Sequence, residues 1–292
     1  MEEALKPVEG RKRSRLGLFW SKLRQNKLAI AGLVIISFFF IVGIVAPLIA
    51  PHDPNETNLP LMLDKPSMYY PLGGDELGRC ILSRIIYGAR VSLLIGIIVI
   101  GTGGGVGVPL GLISAYYGGK VDFSMQRLVD IMFAFPGILL ALMLIAILGV
   151  GIQNVMIAIG ISTIPIYARL VRGSALSVKE EQYVQAARAI GASDFRIIFR
   201  HILPNCLSPI IVQSTLNMAL AILWAAGLGF LGLGISPPTA EWGAMLNGGR
   251  LYMRVAPHVM AFPGLAIFVT VLSFNLLGDG LRDALDPRFY RR

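Results

Sequence analysis

Six long apolar runs, none containing a charged residue, constrain the fold of this chain more than any other feature of its sequence. They cover residues 28–50, 91–117, 131–150, 151–168, 208–234 and 259–278. About 20 apolar residues in helical conformation span the hydrocarbon of a bilayer. A large soluble protein can also bury such helices, but only 15% of the 292 residues are charged, which leaves too little polar sequence to cover them. The sequence therefore predicts an all-α polytopic membrane protein with six transmembrane helices.

The distribution of basic residues predicts how these helices are oriented. With six spans both termini lie on one side, and that side receives most of the 26 lysine and arginine residues. The other side keeps Lys65, Arg79, Arg84, Arg90, Arg250 and Arg254. Because basic residues mark the cytoplasmic side, both termini are predicted to be cytoplasmic. The net charge of +9 then reflects topology and contact with anionic lipid, and we expect no nucleic-acid partner.

The same pattern divides the chain into segments. The first apolar run is longer than the core of a cleavable signal, so we expect it to remain as an anchor. Composition changes predict a basic cytoplasmic arm at 1–27 and an N-terminal transmembrane helix at 28–50. An extracytoplasmic segment at 51–90 is predicted to end in an interfacial helix. A five-helix core at 91–279 and a cytoplasmic tail at 280–292 follow. Cys80 and Cys206 fall on opposite sides and cannot pair, and the three histidines have no metal-ligand spacing.

Glycines, prolines and amides are the informative residues inside the spans. Three glycines of the second run are spaced four residues apart: Gly103, Gly107 and Gly111. Small residues at this spacing let helix backbones approach closely in lipid. Whether that contact slides or is static stays open. Kinks are predicted at Pro136, Pro165 and Pro263. Three amide side chains either line a translocation path or form hydrogen bonds between helices: Gln213, Asn217 and Asn275.

Two glycine-rich stretches have the spacing of nucleotide-binding motifs and lack their context. "GIIVIGT" at 96–102 has Thr102 in place of the lysine of a phosphate loop, and "GLGFLG" at 227–232 follows no strand. We therefore expect no nucleotide binding and no catalysis by this chain. The spans also lack the ionisable groups that ion-coupled carriers usually hold within the membrane, which argues against a carrier of that class.

A charged stretch between the fourth and fifth runs predicts a polar helical hairpin. Ser177 with Glu180 has the spacing of a capping box, which predicts that a helix starts there. Gly191 is a natural left-handed terminator for that helix. Ser193 then caps a second helix, which is predicted to stop before Pro204.

Each predicted hairpin helix has an apolar face. The first presents Tyr183, Ala186, Ala187 and Ile190, and the second presents Phe195, Ile198, Phe199 and Ile202. These faces can simply rest on the membrane bundle. The alternative is that the paired alanines form a flat surface that another protein approaches closely, with charged side chains beside it at Arg188 and Arg196.

The hairpin, at about residues 177–204, resembles the "EAA" loop of ATP-binding cassette (ABC) importer permeases. The matching residues are Ala186, Ala187, Gly191, Ile202, Leu203 and Pro204, whereas Gln185 stands where the pattern has glutamate. In that family the loop docks as a coupling helix into a cleft of the ATPase subunit. The resemblance implies that the ATPase-coupling residues are Tyr183, Gln185, Ala186, Ala187, Arg188, Gly191, Ser193 and Arg196.

The resemblance extends over nearly the whole chain. The stretches "NKLAIAGLVII", "APLIAPHDPN", "PLGGDELGRCILSRIIYGARVSL" and "LLGDGLRDALDPR" are similar to the dipeptide, oligopeptide and nickel branch of these permeases. This implies the type I importer fold, in which a five-helix core follows one extra N-terminal helix. It also implies a location in the bacterial plasma membrane and partners: a second permease, two ATPase subunits that bind ATP and magnesium, and an extracytoplasmic binding protein.

The resemblance leaves the cargo open. Di- and oligopeptides are the expected substrates, and the same machine carrying nickel or another small solute is the alternative. A stand-alone channel, an ion-coupled carrier and a membrane scaffold without a transport role are the alternatives of other classes. The hairpin argues against the channel and the carrier, and the glycine-rich, kinked spans argue against a scaffold.

Overall fold

The computed structural model describes residues 15–235 and 237–285 and is helical nearly throughout. The predictions for residues 1–14 and 286–292 concern parts of the chain outside these ranges. The helices are α1 (Arg15–Leu23), α2 (Lys27–Ile49), α3 (Ile81–Tyr117), α4 (Gly119–Phe133), α5 (Gly137–Leu148), α6 (Ile152–Lys179), α7 (Gln182–Ala189), α8 (Asp194–Arg196), α9 (Leu203–Phe230), α10 (Trp242–Gly249) and α11 (His258–Leu285). A π-helical segment, Ile197–Ile202, joins α8 to α9.

Five of these helical stretches are long and apolar enough to cross a bilayer: α2, α3, α6, the stretch from Asp194 to Phe230, and α11. A sixth crossing requires α4 and α5 together, which meet at an angle of 87°. The fold class predicted from the sequence, an all-α polytopic membrane protein, is confirmed. On α2, large apolar side chains such as Phe38, Ile44 and Leu48 are exposed, as expected for a helix that faces lipid.

The third predicted span is not a single kinked helix. Because Pro136 has no N–H and disfavours helical conformation at the residue before it, α4 ends at Phe133 and α5 restarts at Gly137. The 12 residues of α5 are about 18 Å long, short of the roughly 30 Å of hydrocarbon. Arg172 on α6 holds α4 in place through two bonds of 2.6 Å to the carboxylate of Asp122.

The centre of the bundle is the contact between α3 and α6, and glycine makes it close. Gly103, Gly107 and Gly111 all lie on the face of α3 that meets α6. A Cβ atom on Gly107 would lie 2.6 Å from the carbonyl oxygen of Ile164 and 2.7 Å from Cβ of Tyr167. The two backbones are therefore in direct contact, as small residues at this spacing permit in lipid.

The segment at 51–90, which is predicted to be extracytoplasmic, differs from its prediction at its end. The stretch predicted as a separate interfacial helix is the start of α3, which begins at Ile81 and continues unbroken into the membrane. Just before it, Nε of Arg79 donates to Oδ2 of Asp75 at 2.6 Å, and both residues are buried. Arg84, also buried, donates to the carbonyl oxygens of Pro54 at 2.8 Å and Pro238 at 3.3 Å. Arg84 thereby fastens the loops that contain Pro54 and Pro238 to the N-terminal end of α3.

A short helix, α10, packs between these loops and the bundle. Its cap is Glu241, whose carboxylate accepts from the backbone N–H groups of Gly243 and Ala244 at 2.8 Å. Burial raises the pKa of Glu241 above its ordinary value. Trp242 has the aromatic character expected of a membrane–water boundary residue, but its side chain is fully buried and its Nε1 donates to the carbonyl oxygen of Ile85 at 3.1 Å.

Candidate protein-docking site

The hairpin begins later than its capping box predicts. The α6 helix continues through Lys179, so Ser177 lies inside it, with its Oγ 3.4 Å from the carbonyl oxygen of Gly173. A serine hydroxyl that bonds to the carbonyl four residues earlier fits a helix interior and cannot cap a helix start. The predicted start at this box is therefore wrong, and α7 begins after Glu181, which occupies the cap position.

The turn of the hairpin lies where the sequence places it, but the second helix does not end where predicted. Gly191 has a φ of +78°, the left-handed conformation that glycine adopts at low cost, and Ser193 occupies the position before α8. The helical path then runs through the π segment into α9, with Leu203 donating its N–H to the carbonyl oxygen of Ile198. Pro204 falls in the first turn of α9, where its missing N–H is tolerated. The hairpin is thus continuous with the fifth span.

Part of each predicted apolar face is buried by the chain itself: one of four residues in the first helix and two of four in the second. Ala187 is 7% exposed and Val184 1%, and both pack against the ends of α3 and α6. Ile198 and Ile202 are buried in the same cluster. The prediction of a flat surface made by Ala186 and Ala187 together is therefore wrong, because adjacent residues on a helix point about 100° apart. Ala186 alone faces outward.

What remains exposed is an apolar and basic surface. The exposed fractions are 43% for Tyr183, 84% for Ile190, 71% for Phe195 and 48% for Phe199. We call the following set the hairpin surface: Tyr183, Gln185, Ala186, Arg188, Ile190, Phe195, Arg196 and Phe199. The rings of Phe195 and Phe199 lie 4.4 Å apart, so they form one aromatic patch. Sequence reasoning placed Ile190 and both phenylalanines on apolar faces without assigning them to the coupling site.

Polar contacts hold the hairpin against the C-terminal ends of two long helices, α3 and α6. Tyr116, the penultimate residue of α3, donates its phenol O–H to Oδ1 of Asp194 at 2.6 Å. Lys179 donates from Nζ to the carbonyl oxygens of Ala115 at 3.1 Å and Tyr116 at 2.8 Å. The guanidinium carbon of Arg188 lies 5.4 Å from the centroid of the Tyr116 ring. Gln185 donates from Nε2 to the carbonyl oxygen of Lys179 at 3.0 Å. The surface is thus exposed but firmly anchored.

The three amides proposed for the pathway are not brought together. Nε2 of Gln213 donates to Oδ1 of Asn217 at 3.0 Å, and Asn217 is fully buried in the bundle. Asn275 is exposed on α11 and has no hydrogen bond to either amide among the described residues. Gln213 also lines a cavity of about 460 Å³ between α9 and α11, together with Asp279 and Arg282. Within the described ranges, no three His, Cys, Asp or Glu side chains are grouped to hold a metal ion.

Comparison with known proteins adds two family matches and several relatives. Residues 107–291 match the family described as binding-protein-dependent transport system inner membrane component, and residues 14–66 match the N-terminal transmembrane domain of oligopeptide transport permease C. The dipeptide transport system permease protein DppC of Alkalihalophilus pseudofirmus is 50% identical over 270 residues, covering 92% of this chain and 88% of the relative. The glutathione transport system permease protein GsiD of Escherichia coli is 49% identical over 271 residues, covering 92% and 89%.

Solved structures show the same fold at low identity. The inward-facing MetNI methionine ABC transporter has a TM-score of 0.56 and 21% identity, covering 70% of this chain and 97% of its own. An amino acid ABC transporter with histidines has a TM-score of 0.52 and 14% identity, covering 68% and 92%. The predicted type I importer fold is thereby confirmed.

Proposed function

Because this chain belongs to the family of binding-protein-dependent transport system inner membrane components, we propose that it forms half of the pathway of an ABC importer for di- and oligopeptides. The family resemblance found in the sequence is confirmed. Relatives named for dipeptide and glutathione transport support peptides as the cargo, in preference to nickel. The other half of the pathway would come from a second, similar permease, and an extracytoplasmic binding protein would deliver the peptide.

The hairpin surface is the observation that carries the proposal of coupling to an ATPase. Exposed Phe195, Phe199 and Ile190 lie on a part of the chain that is predicted to be cytoplasmic. Contiguous apolar side chains in water usually mark a protein interface, and aromatic and arginine residues are enriched at such interfaces. Anchoring through Lys179 and Tyr116 keeps this surface in a fixed position relative to the spans. Both properties suit a contact that receives a mechanical displacement.

The mechanism follows from the continuity of the helices. ATP and magnesium would bind at the partner ATPases, which supply the hydrolysis. Closure of the ATPases would displace the hairpin, and the unbroken helix from Asp194 to Phe230 would carry the displacement into the membrane. Nucleotide can shift the bundle between inward- and outward-open states only if the ATPases bind the hairpin with different affinity in the two states. This chain would then contribute a conformational equilibrium and no catalytic group.

Reconstitution tests the function and its cargo. We expect proteoliposomes that contain this chain, its second permease and the ATPases to accumulate a radiolabelled dipeptide when ATP and binding protein are supplied. Labelled glutathione and ⁶³Ni are compared in parallel. The purified chain alone should neither bind nor hydrolyse ATP. Accumulation of nickel without either peptide would contradict the peptide assignment, and ion-driven uptake by the chain alone would contradict the importer.

Topology is testable with introduced cysteines, because Cys80 and Cys206 are both fully buried and unsuitable as reporters. In a variant with both native cysteines replaced by alanine, Thr57→Cys should react with a membrane-impermeant maleimide in intact spheroplasts. Glu180→Cys should react only after the membrane is opened. Both positions are exposed in the structure, so access is limited by the membrane. The reverse labelling pattern would refute the assignment of cytoplasmic termini.

A further inference from the structure

Tyr116 lies where four elements of the cytoplasmic end meet. Its ring is 6% exposed and packs in a cluster with Val184 and Ala187 of α7. Its phenol O–H bonds to Asp194 at the start of the helix that continues into span five, and its carbonyl oxygen accepts from Lys179 at the end of α6. Arg188 of α7 lies over its ring. One residue of α3 therefore contacts α6 and both arms of the hairpin.

We propose that Tyr116 is the positioning residue that transmits displacement of the hairpin to α3, an inference that rests on the proposed coupling function. Apart from Arg188 over the Tyr116 ring, the remaining contact between the hairpin and α3 is apolar packing, which is non-directional and resists sliding weakly. The bond of 2.6 Å between a phenol and a carboxylate is short and charge-assisted, so it fixes the register of one element on the other. Asp194 and Tyr116 are 78 residues apart in sequence, so this bond joins two spans that must move together.

Removing the phenol oxygen tests the inference in the assembled transporter. Tyr116→Phe keeps the ring, its packing and the position of Arg188 over the ring, and loses the phenol's bond to Asp194 together with its weaker polar contact with Arg188. We expect the ATPases to bind the variant normally and to hydrolyse ATP, while the amount of labelled dipeptide imported per ATP falls by about tenfold, the effect of losing one charge-assisted bond. A purely structural role would lower hydrolysis and import together and would leave their ratio unchanged.

The neighbouring residue supplies a matched control. Tyr117 is 54% exposed and its phenol O–H has no hydrogen bond to the described residues, so Tyr117→Phe should leave the ratio unchanged. Asp194→Asn keeps an acceptor for the phenol and should retain most of the coupling, whereas Asp194→Ala should reproduce the effect of Tyr116→Phe. In the double variant Tyr116→Phe/Asp194→Ala, the ratio should fall no further than in either single variant, because both remove the same bond.

The outcomes separate this inference from the proposed function. An unchanged ratio in Tyr116→Phe, or independent additive losses in the double variant, would overturn the role of Tyr116 while leaving the hairpin as the docking site. If Tyr116→Phe does not accumulate as a folded chain, the comparison of Asp194→Asn with Asp194→Ala decides the question through the same ratio. Loss of ATPase binding in Tyr116→Phe would also contradict the inference, because it would show that the residue acts in docking.

Discussion

Replacement of Ala186 by glutamate is expected to abolish peptide uptake while leaving the chain folded and inserted. Ala186 is exposed on α7, and residues three before and four after it, Tyr183 and Ile190, lie on the same side of the helix. A carboxylate there would be buried without a partner when an ATPase covers the hairpin surface. An uncompensated buried charge costs about 3–5 kcal/mol, which corresponds to a loss of ATPase affinity of more than 100-fold. The measurements are ATPase binding to the permease in nanodiscs and uptake of labelled dipeptide.

Two neighbouring substitutions make this result interpretable. Gln185→Glu adds the same charge at the adjacent exposed position, where the family pattern has glutamate, so uptake should be retained although the bond to the carbonyl oxygen of Lys179 is lost. Ala187→Glu places the carboxylate in the buried cluster beside Val184 and should destabilise the chain itself, which lowers its amount in the membrane. Wild-type ATPase binding by Ala186→Glu would contradict the assignment of the hairpin surface as the docking site.

The sequence predicted the membrane-spanning helices well because length and apolar composition determine them almost alone. A helix whose backbone must satisfy its own hydrogen bonds in lipid has few alternatives, so the first apolar run becomes α2 with boundaries shifted by one residue at each end. The break at Pro136 could not be distinguished from a kink, since a proline inside a span is tolerated when neighbouring helices satisfy the freed carbonyls. Whether the neighbouring helices satisfy those carbonyls depends on tertiary packing, which the residue pattern of the sequence does not show.

Charged and small residues were predicted less well, because their roles depend on partners distant in sequence. Arg84 lies on the predicted extracytoplasmic side, and its burial follows from the carbonyl oxygens of Pro54 and Pro238. Ala187 and Ala186 are chemically identical, and only the position of the buried cluster tells which one faces outward. The family pattern identified the hairpin as a unit. It did not show that Tyr116 would be its anchor, since no local periodicity connects residues so far apart.

Gly107→Val is expected to prevent α3 and α6 from packing, the largest effect we predict on stability. A Cβ atom at this position would meet the carbonyl oxygen of Ile164 at 2.6 Å and the backbone nitrogen of Ala168 at 3.2 Å. Backbone atoms cannot rotate away as a side chain can, so α6 would have to move as a whole. Overpacking in a tight interior lowers the free energy of unfolding by about 1–3 kcal/mol. Because the neighbours of Gly107 are backbone atoms, we expect Gly107→Val to lower it by at least the upper value of that range. The purified chain in detergent should unfold at a temperature at least several degrees lower.

Gly105→Val is the matched control for that prediction, because it makes the same chemical change two residues away in the same helix. Gly105 is exposed, and a Cβ atom there meets nothing within 4 Å. Glycine is a poorer helix former than valine by a few tenths of a kcal/mol, so the control should leave the unfolding temperature of the isolated chain unchanged or slightly raised. If both variants lower it equally, the loss would come from valine in the helix and the close contact of α3 with α6 would be refuted. If only Gly107→Val lowers it, the contact depends on that glycine, and the displacement proposed to enter α3 at Tyr116 would move α6 with it.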